Sequence, residues 1–184
     1  MSELQTRIFS LETPISDKEF EQFYALMELS FPKSERRSRK GFLELCKKCP
    51  YYKIYTLFDN QQLIAFLTVW EFEEFTFGDH FAVLPQLRNG GVGSKLLSWV
   101  KNSSKTPFII EVELPETEIS QRRINFYLRH GFIICDFDYL LPPMQEGCSA
   151  LPMKIMSYPA LLTKEQFEPL KKLIYNIVYE VDNI

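Results

Sequence analysis

The sequence predicts a single mixed α/β domain, and three observations support this. The chain has 184 residues, 46% hydrophobic and 15% aromatic, which fits one globular domain with an aromatic-rich core. Runs of β-branched and aromatic residues alternate with amphipathic segments, so strands and helices should alternate along the chain. Three of the seven glycines fall within residues 90–93, between a predicted strand and a predicted helix. A disordered or collagenous chain is excluded by this composition.

The charge and the apolar runs exclude several classes of protein. The net charge is −3, so general binding to polyanions is not expected, and nucleic acid is not an expected partner. The start of the chain lacks the basic and then apolar pattern of a signal peptide. Its longest apolar stretch, residues 63–70, is too short to span a bilayer. Four cysteines without dense spacing indicate reduced thiols, so we expect a cytoplasmic protein without a membrane partner.

The first third of the chain predicts a strand and two helices. Residues 7–11 show a weak alternation of polar and apolar side chains, which predicts a first strand. Ser16 and Glu19 form a capping-box pattern that starts a helix. Its apolar face comprises Phe20, Phe23, Tyr24, Met27 and Phe31, and Pro32 ends it. Residues 33–40 contain five cations and one glutamate, and we expect a solvated loop there. A short helix over residues 41–49 follows.

The middle of the chain predicts three strands, a glycine loop and a helix. Residues 52–58 and 63–73 read as an antiparallel hairpin, and residues 75–84 as a third strand. The helix after the glycines has an apolar face of Val92, Leu96, Leu97 and Val100.

The remaining segments add strands and helices on both sides of a sheet. We expect a strand at 107–114, a helix at about 120–130, and strands near 132–141 and 151–157. An apolar stripe from Leu170 to Val181 predicts a C-terminal amphipathic helix, with Pro169 in its first turn and its stripe packed on the domain.

Gly90, Gly91 and Gly93 have the chemistry of an anion site. Residues without Cβ allow positive φ and close approach to backbone amides, and a helix N-terminus adds unsatisfied N–H groups and partial positive charge. The Walker A spacing is absent, because Ser94 precedes Lys95. The dinucleotide fingerprint lacks its third glycine, since Leu96 stands in that position.

Two blocks of sequence resemble the GNAT superfamily of acyl-CoA-dependent N-acetyltransferases. The first is Arg88-x-x-Gly91-x-Gly93 after a strand, similar to the coenzyme A signature of that family. The second is Phe126-Tyr127-x-x-x-Gly131-Phe132. The resemblance covers about residues 7–157. It implies a single domain with a mixed, mostly antiparallel sheet of about six or seven strands flanked by helices. Residues 158–184 would be a C-terminal helical extension.

The resemblance also implies where coenzyme and acceptor bind. Acetyl-CoA would be the acyl donor, and a small-molecule or peptide amine the acceptor, attacking directly in a ternary complex. The pantetheine arm of the coenzyme would pair with backbone groups at the end of the predicted strand at residues 75–84. Many members of the family have an asparagine seven positions before the tyrosine that matches Tyr127, and this chain has Ser120 at that position. The implied coenzyme residues are Phe81, Ala82, Val83, Arg88, Asn89, Gly90, Gly91, Val92, Gly93, Ser94 and Ser120.

The same resemblance makes Tyr127 the candidate acid that protonates the departing thiolate. Attack requires a neutral amine and therefore a proton acceptor. Alternation along residues 107–114 puts Glu111 and Glu113 on one face, so both are candidate bases. Further candidates are Glu71, Glu73, Asp79 and His80. Some of these carboxylates would instead pair with Arg122 or Arg123.

Several alternatives stay open. A non-catalytic acyl-CoA-binding or regulatory module would keep the glycine loop without acceptor chemistry. Residues 33–40 could attract an acidic acceptor. The pattern Cys46-x-x-Cys49 is not repeated by Cys135 and Cys148, and His80 and His130 lie fifty residues apart, so no metal is expected. Either a monomer or a homodimer is compatible with the sequence.

Overall fold

A computed structural model describes residues 4–181 and shows a mixed sheet with helices on both faces. The strands are β1 (Gln5–Phe9), β2 (Tyr52–Asp59), β3 (Gln62–Glu71), β4 (Thr76–Val83), β5 (Phe108–Glu113), β6 (Ile133–Ile134), β7 (Tyr139–Leu141) and β8 (Leu151–Tyr158). The α-helices are α1 (Asp17–Ser30), α2 (Arg39–Lys48), α3 (Val92–Ser103), α4 (Glu118–Arg129) and α5 (Lys164–Leu173). Short 3-10 turns lie at Lys33–Glu35 and Pro85–Leu87, and a π-helical turn at Ile174–Val178 follows α5.

The eight-stranded sheet has the order β1-β2-β3-β4-β5-β8-β6, with β7 also paired to β8. All of these pairs are antiparallel except β4 with β5. The predicted mixed, mostly antiparallel α/β fold is therefore confirmed. The sheet separates two apolar clusters: α1, α2 and α5 contribute to one, and α3 and α4 to the other.

Local sequence signals explain most element boundaries. The predicted capping box of α1 is present, because the Ser16 hydroxyl accepts from the Glu19 amide and the Glu19 carboxylate accepts from the Ser16 amide. In the β2–β3 hairpin, Asn60 and Gln61 have φ of 47° and 69°, the left-handed values that a tight turn between twisted strands requires.

Other boundaries differ from the prediction. The first strand begins two residues earlier, at Gln5. Helix α2 begins inside the polar run, because the Ser38 hydroxyl caps it by accepting from the Gly41 amide. The placement of Pro169 in a first turn was wrong: Thr163 caps α5, and Pro169 lies inside the helix. Thr163 and Gln166 form a capping box that the sequence displays and that marks the true start.

The feature that positions the site is the short contact between β4 and β5. Their parallel pairing covers only Thr76–Gly78 and Phe108–Ile110 within the described chain, and the strands then separate. Gly78 lies at the last pair, where a Cβ would stand 3.0 Å from the Phe108 ring. The close approach at this point therefore depends on glycine. Beyond it, residues 79–83 and 111–113 border an open gap in the middle of the sheet.

The C-terminal segment packs against the same domain. Phe167, Ile174, Tyr175 and Val178 are buried in the cluster that also contains α1 and α2. The extension is thus integral to the core on that face of the sheet. No helix in residues 4–181 is both long enough and apolar enough to cross a bilayer.

Candidate active site

A small cleft of about 60 Å³, partly open to solvent, occupies the gap where β4 and β5 separate. Glu111, Glu113 and Tyr127 all line it, so the structure brings together the three residues that the sequence analysis proposed as catalytic. The full lining comprises Phe31, Glu35, Asp79, His80, Phe81, Glu111, Val112, Glu113, Arg123, Tyr127, Leu141 and Met153.

The N-terminus of α3 differs from those of the other described α-helices. Helices α1, α2, α4 and α5 each have a Ser or Thr side chain as their N-terminal cap. The N-cap of α3 is Gly91, which has a φ of 80° and no side chain to cap with. The first turn of α3 therefore presents backbone amides without a side-chain acceptor, together with the positive end of the helix dipole. This is the arrangement of an anion-binding site.

The glycine loop is attached to the cleft edge of β4. The Arg88 guanidinium donates through Nε to the Val83 carbonyl oxygen at 3.1 Å, which fixes the loop to the end of the strand. A Cβ on Gly93 would lie 3.5 Å from the side chains of Phe81 and Val83. Larger side chains at Gly93 would press on the strand that borders the cleft.

Glu111, with Asp79 and His80, is one of several buried titratable groups of the cleft. Its Oε1 accepts a hydrogen bond from the Tyr179 hydroxyl at 2.5 Å. Its Oε2 is buried and has no hydrogen-bond partner among the described residues. Burial raises the pKa of Glu111, and the Asp79 carboxylate raises it further, whereas the Tyr179 hydroxyl lowers it; the result is about 7. A carboxyl group with this pKa can exchange protons at neutral pH.

Asp79 lies next to Glu111 but has the opposite chemistry. Thr68 and Trp70 donate to its carboxylate, and an Arg37 Nη1 lies 3.7 Å away. Burial would raise the pKa of Asp79, but His80, Arg37 and Thr68 outweigh burial and lower it to about 2. Asp79 is therefore a fixed negative charge and a weak base.

His80 forms a hydrogen bond through one of its two ring nitrogens. Its Nε2 donates to the Glu35 carbonyl oxygen at 2.7 Å, and its Nδ1 lies 3.3 Å from the Asp79 carboxylate. The ring also packs edge-on against Phe31 and Phe42. His80 lines the cleft, and its Nδ1 has no hydrogen-bond partner among the described residues, so it stays a candidate base.

The remaining candidate carboxylates differ in location. Glu113 faces the cleft and forms an ion pair with Arg123, one of the two arginines that the sequence suggested. Glu71 pairs with Lys53 and accepts from the Tyr55 hydroxyl, and Glu73 is exposed after β3. Neither Glu71 nor Glu73 lines the cleft.

Glu35 is a cleft residue that sequence reasoning assigned to a basic loop. It lines the cleft and forms no ion pair within residues 4–181. Burial raises the pKa of Glu35, and the nearby Glu113 carboxylate raises it further. The arginines around it are already paired: Arg36 with Glu28, Arg37 with Asp79 and Arg39 with Glu21. The face that this segment turns to the cleft is therefore acidic.

Tyr127 lines the cleft from helix α4. Its ring packs against Phe126, Phe132 and Phe81, with centroids 5.4, 5.5 and 6.4 Å away. Burial raises the pKa of its phenol, so the group is protonated at neutral pH and can donate. Ser120 is buried in the capping box of α4, where its hydroxyl donates to the Thr117 carbonyl oxygen.

Sequence reasoning missed three residues around Glu111. Tyr179 reaches it from the C-terminal segment, Tyr139 interacts with it from β7, and Arg37 holds the neighbouring Asp79. The apolar periodicity of the last segment predicted an inner stripe but gave no reason to single out Tyr179. The four cysteines are free, and no metal-binding group of three or more His, Cys, Asp or Glu residues occurs within residues 4–181.

Comparison with known proteins agrees with this architecture. The sequence profile of the acetyltransferase (GNAT) domain matches residues 50–134. A GNAT-family protein from Bacteroides thetaiotaomicron is 36% identical, covers 95% of this chain and 99% of its own, and has a TM-score of 0.82. No curated protein matches the chain.

Two more distant structures share the fold. An Escherichia coli N-acetyltransferase that acts on an alanine of a ribosomal protein is 18% identical, covers 88% of this chain and 97% of its own, and has a TM-score of 0.60. A GNAT acetyltransferase from Elizabethkingia anophelis, solved with acetyl-CoA bound, is 18% identical, covers 84% of this chain and 96% of its own, and has a TM-score of 0.56. With the identity and coverage of the Bacteroides protein, these matches show that the chain belongs to the GNAT family of acetyltransferases.

Proposed function

We propose that this protein is an N-acetyltransferase that moves an acetyl group from acetyl-CoA to a primary amine in a ternary complex. The observation that carries the proposal is the uncapped N-terminus of α3 beside a cleft that contains Glu111. The N-terminus of α3 can hold a phosphorylated donor, and Glu111 can accept a proton from an amine. The relative solved with acetyl-CoA supports this choice of donor.

The coenzyme would lie along the edge of the cleft. The free amides of the first turn of α3 and the loop at residues 88–94 fit the pyrophosphate. Phe81, Ala82 and Val83 lie beyond the paired part of β4 and β5, so the backbone groups there that β3 does not use can meet the pantetheine amides, apart from the Val83 carbonyl oxygen, which accepts from Arg88. Ser120 remains a proposed contact, although its hydroxyl is used in its own helix cap. The donor supplies an activated thioester at the centre of the cleft.

The charges of the cleft favour a cationic amine as the acceptor. Glu113 is neutralised by Arg123, and Asp79 by Arg37. Glu35 and Glu111 are left without an ion-pair partner among the described residues. An ammonium group entering the cleft would therefore meet two carboxyl groups without an ion pair, of which Glu111 is only partly ionised at neutral pH. The E. coli relative acts on the alanine of a protein, so peptide as well as small-molecule amines belong in the screen.

Proton transfer would divide between two side chains. Glu111 takes a proton from the bound ammonium, which frees the lone pair of the amine nitrogen. That nitrogen attacks the thioester carbonyl carbon, so a C–N bond forms and the C–S bond breaks. Tyr127 donates its proton to the departing thiolate and then recovers one from solvent or from the new amide nitrogen. Glu113 is the second candidate base, but its ion pair makes it the weaker acceptor. Holding both reactants in one cleft supplies most of the rate enhancement.

The first test concerns the donor. Melting temperatures are measured with CoA, acetyl-CoA, ATP and NAD; a ligand at one hundred times its Kd should add about 2.7 kcal/mol of stability. We expect stabilisation by the two CoA species alone. A larger response to ATP or NAD would refute the assignment of the glycine loop.

Variants of Gly91 sharpen this test. Gly91→Glu should abolish the CoA response by placing a carboxylate beside the phosphates, whereas Gly91→Gln carries the same backbone strain without the charge and should retain part of it. Gly147 has nearly the same φ, 79°, also with open space around an added Cβ, so Gly147→Glu controls for strain. A protein that binds CoA but acetylates no amine in a broad panel would instead be a non-catalytic acyl-CoA-binding module.

A further inference from the structure

We propose that Tyr179 is a positioning residue for Glu111, so that the segment after α5 is part of the active site. This inference rests on the proposed function, in which Glu111 accepts the proton of the amine. Residue 179 lies outside the region matched by the GNAT domain profile, which ends at residue 134. The contact joins two residues that are 68 positions apart in the chain.

The two carboxylate oxygens of Glu111 have different surroundings. Oε1 is held by the Tyr179 hydroxyl at 2.5 Å, which fixes the rotation of the carboxyl group. Oε2 is buried without a hydrogen-bond partner in the described structure, and Glu111 lines the cleft. A buried carboxylate oxygen without a donor is costly unless a ligand supplies one. The Tyr179 contact therefore holds one oxygen and leaves the other as the proposed proton acceptor, while the Tyr139 hydroxyl also interacts with this carboxyl group.

The Tyr179 ring is itself fixed by several contacts. Its backbone N–H donates to the Ile174 carbonyl oxygen at 3.1 Å, closing the π-helical turn. The Arg37 guanidinium lies 6.0 Å from the Tyr179 ring centroid and donates to the Val178 carbonyl oxygen. Tyr175 anchors the same turn, because its hydroxyl donates to the Leu140 carbonyl oxygen at 2.7 Å. A donor held this rigidly can orient its acceptor without the entropy loss of a mobile side chain.

The groups that face Glu111 define what the Tyr179 hydroxyl contributes. Asp79 and His80 approach from β4, Tyr139 from β7, and Tyr175 and Tyr179 from the C-terminal segment. Glu35 and the Glu113–Arg123 pair lie farther along the cleft. Among these, the Tyr179 hydroxyl donates a hydrogen bond of 2.5 Å to Glu111. Burial and the charge of Asp79 raise the pKa of Glu111, whereas Tyr179, and after it Tyr139 and His80, lower it. Removing this donor should make Glu111 harder to ionise.

The test compares Tyr179→Phe with Tyr175→Phe. Both variants lose one hydroxyl from the same turn, but only the first loses a bond to Glu111. In the pH profile of kcat/KM, we expect Tyr179→Phe to move the acid limb upward by about one unit. The rate should fall about tenfold near pH 6 and recover at high pH. Tyr175→Phe should leave the limb in place.

A measurement without turnover separates this inference from the proposed function. Carbon-13 NMR titration of the Glu side-chain carboxyls, with Glu111→Gln to identify the signal, gives the Glu111 pKa directly. An upward shift in Tyr179→Phe alone supports the inference even if no acceptor amine is found. An unchanged Glu111 titration, or an equal shift in both variants, would overturn it. Loss of activity at all pH values with an unchanged acid limb would also overturn it.

Discussion

Replacing Glu111 with glutamine should make the protein more stable above neutral pH while removing its activity. The pKa of Glu111 rises from 4.5 to about 7 on folding, chiefly because the carboxyl is buried. The folded state therefore binds this proton more tightly than the unfolded state, and stability is lost as pH rises from 4.5 to 7. The shift corresponds to about 3 kcal/mol at pH 8, where the folded protein must keep a buried charge. Glu111→Gln is neutral at every pH and should regain about 2 to 3 kcal/mol there.

Urea unfolding of wild type and Glu111→Gln at pH 4 and pH 8 measures this effect. We expect nearly equal free energies of unfolding at pH 4 and a more stable variant at pH 8. Glu113→Gln is the matched control, because its carboxylate forms a partly exposed ion pair with Arg123. That substitution should cost no more than about 1 kcal/mol. A stability difference for Glu111→Gln that is the same at both pH values would refute the argument from burial.

Three further outcomes are expected. Tyr127→Phe should lower kcat on the order of tenfold to a hundredfold while calorimetry gives an unchanged Kd for CoA, since the ring stays and its proton is lost; an unchanged kcat would exclude Tyr127 as the acid. Glu35→Gln should raise KM for cationic amines about fivefold without altering KM for acetyl-CoA. Equal changes in the KM for the amine and the KM for acetyl-CoA would argue against a role of Glu35 in binding the acceptor amine. The pKa of Asp79 is lowered from 3.8 to about 2, so its contribution to stability is lost as pH falls from about 4 to 2. Asp79→Asn should therefore flatten the acid end of the unfolding profile and cost about 3 kcal/mol at pH 7; an unchanged acid sensitivity would contradict this.

Local patterns in the sequence predicted the parts of the site that depend on local geometry. The glycines at 90–93 predicted an uncapped helix N-terminus, because the physical reason for them lies within one turn. Alternation along β5 placed Glu111 and Glu113 on one face, and both line the cleft. The capping signals at Ser16 and Thr163 were equally local, and reading Thr163 as well would have placed Pro169 correctly.

The choice between the candidate bases depends on contacts that the sequence does not display. Glu111 and Glu113 differ because a tyrosine 68 residues away reaches one, and an arginine on α4 neutralises the other. Arg37 lies beside Asp79 and lowers its pKa, and Arg37 belongs to a run whose composition predicts a solvated loop. Burial and long-range pairing, rather than residue type, determine which carboxylate can exchange a proton.

The order of the elements along the chain has a consequence for biosynthesis. Residues 174–179 follow every strand of the sheet, and chains are synthesised from the N-terminus, so this turn leaves the ribosome after the sheet has been made. The glycine loop and β4 can fold before the Tyr179 hydroxyl reaches Glu111. A nascent domain thus gains the means to hold a donor before its proton acceptor is fixed, and the turn at residues 174–179, which is made after the sheet, completes the arrangement proposed for catalysis.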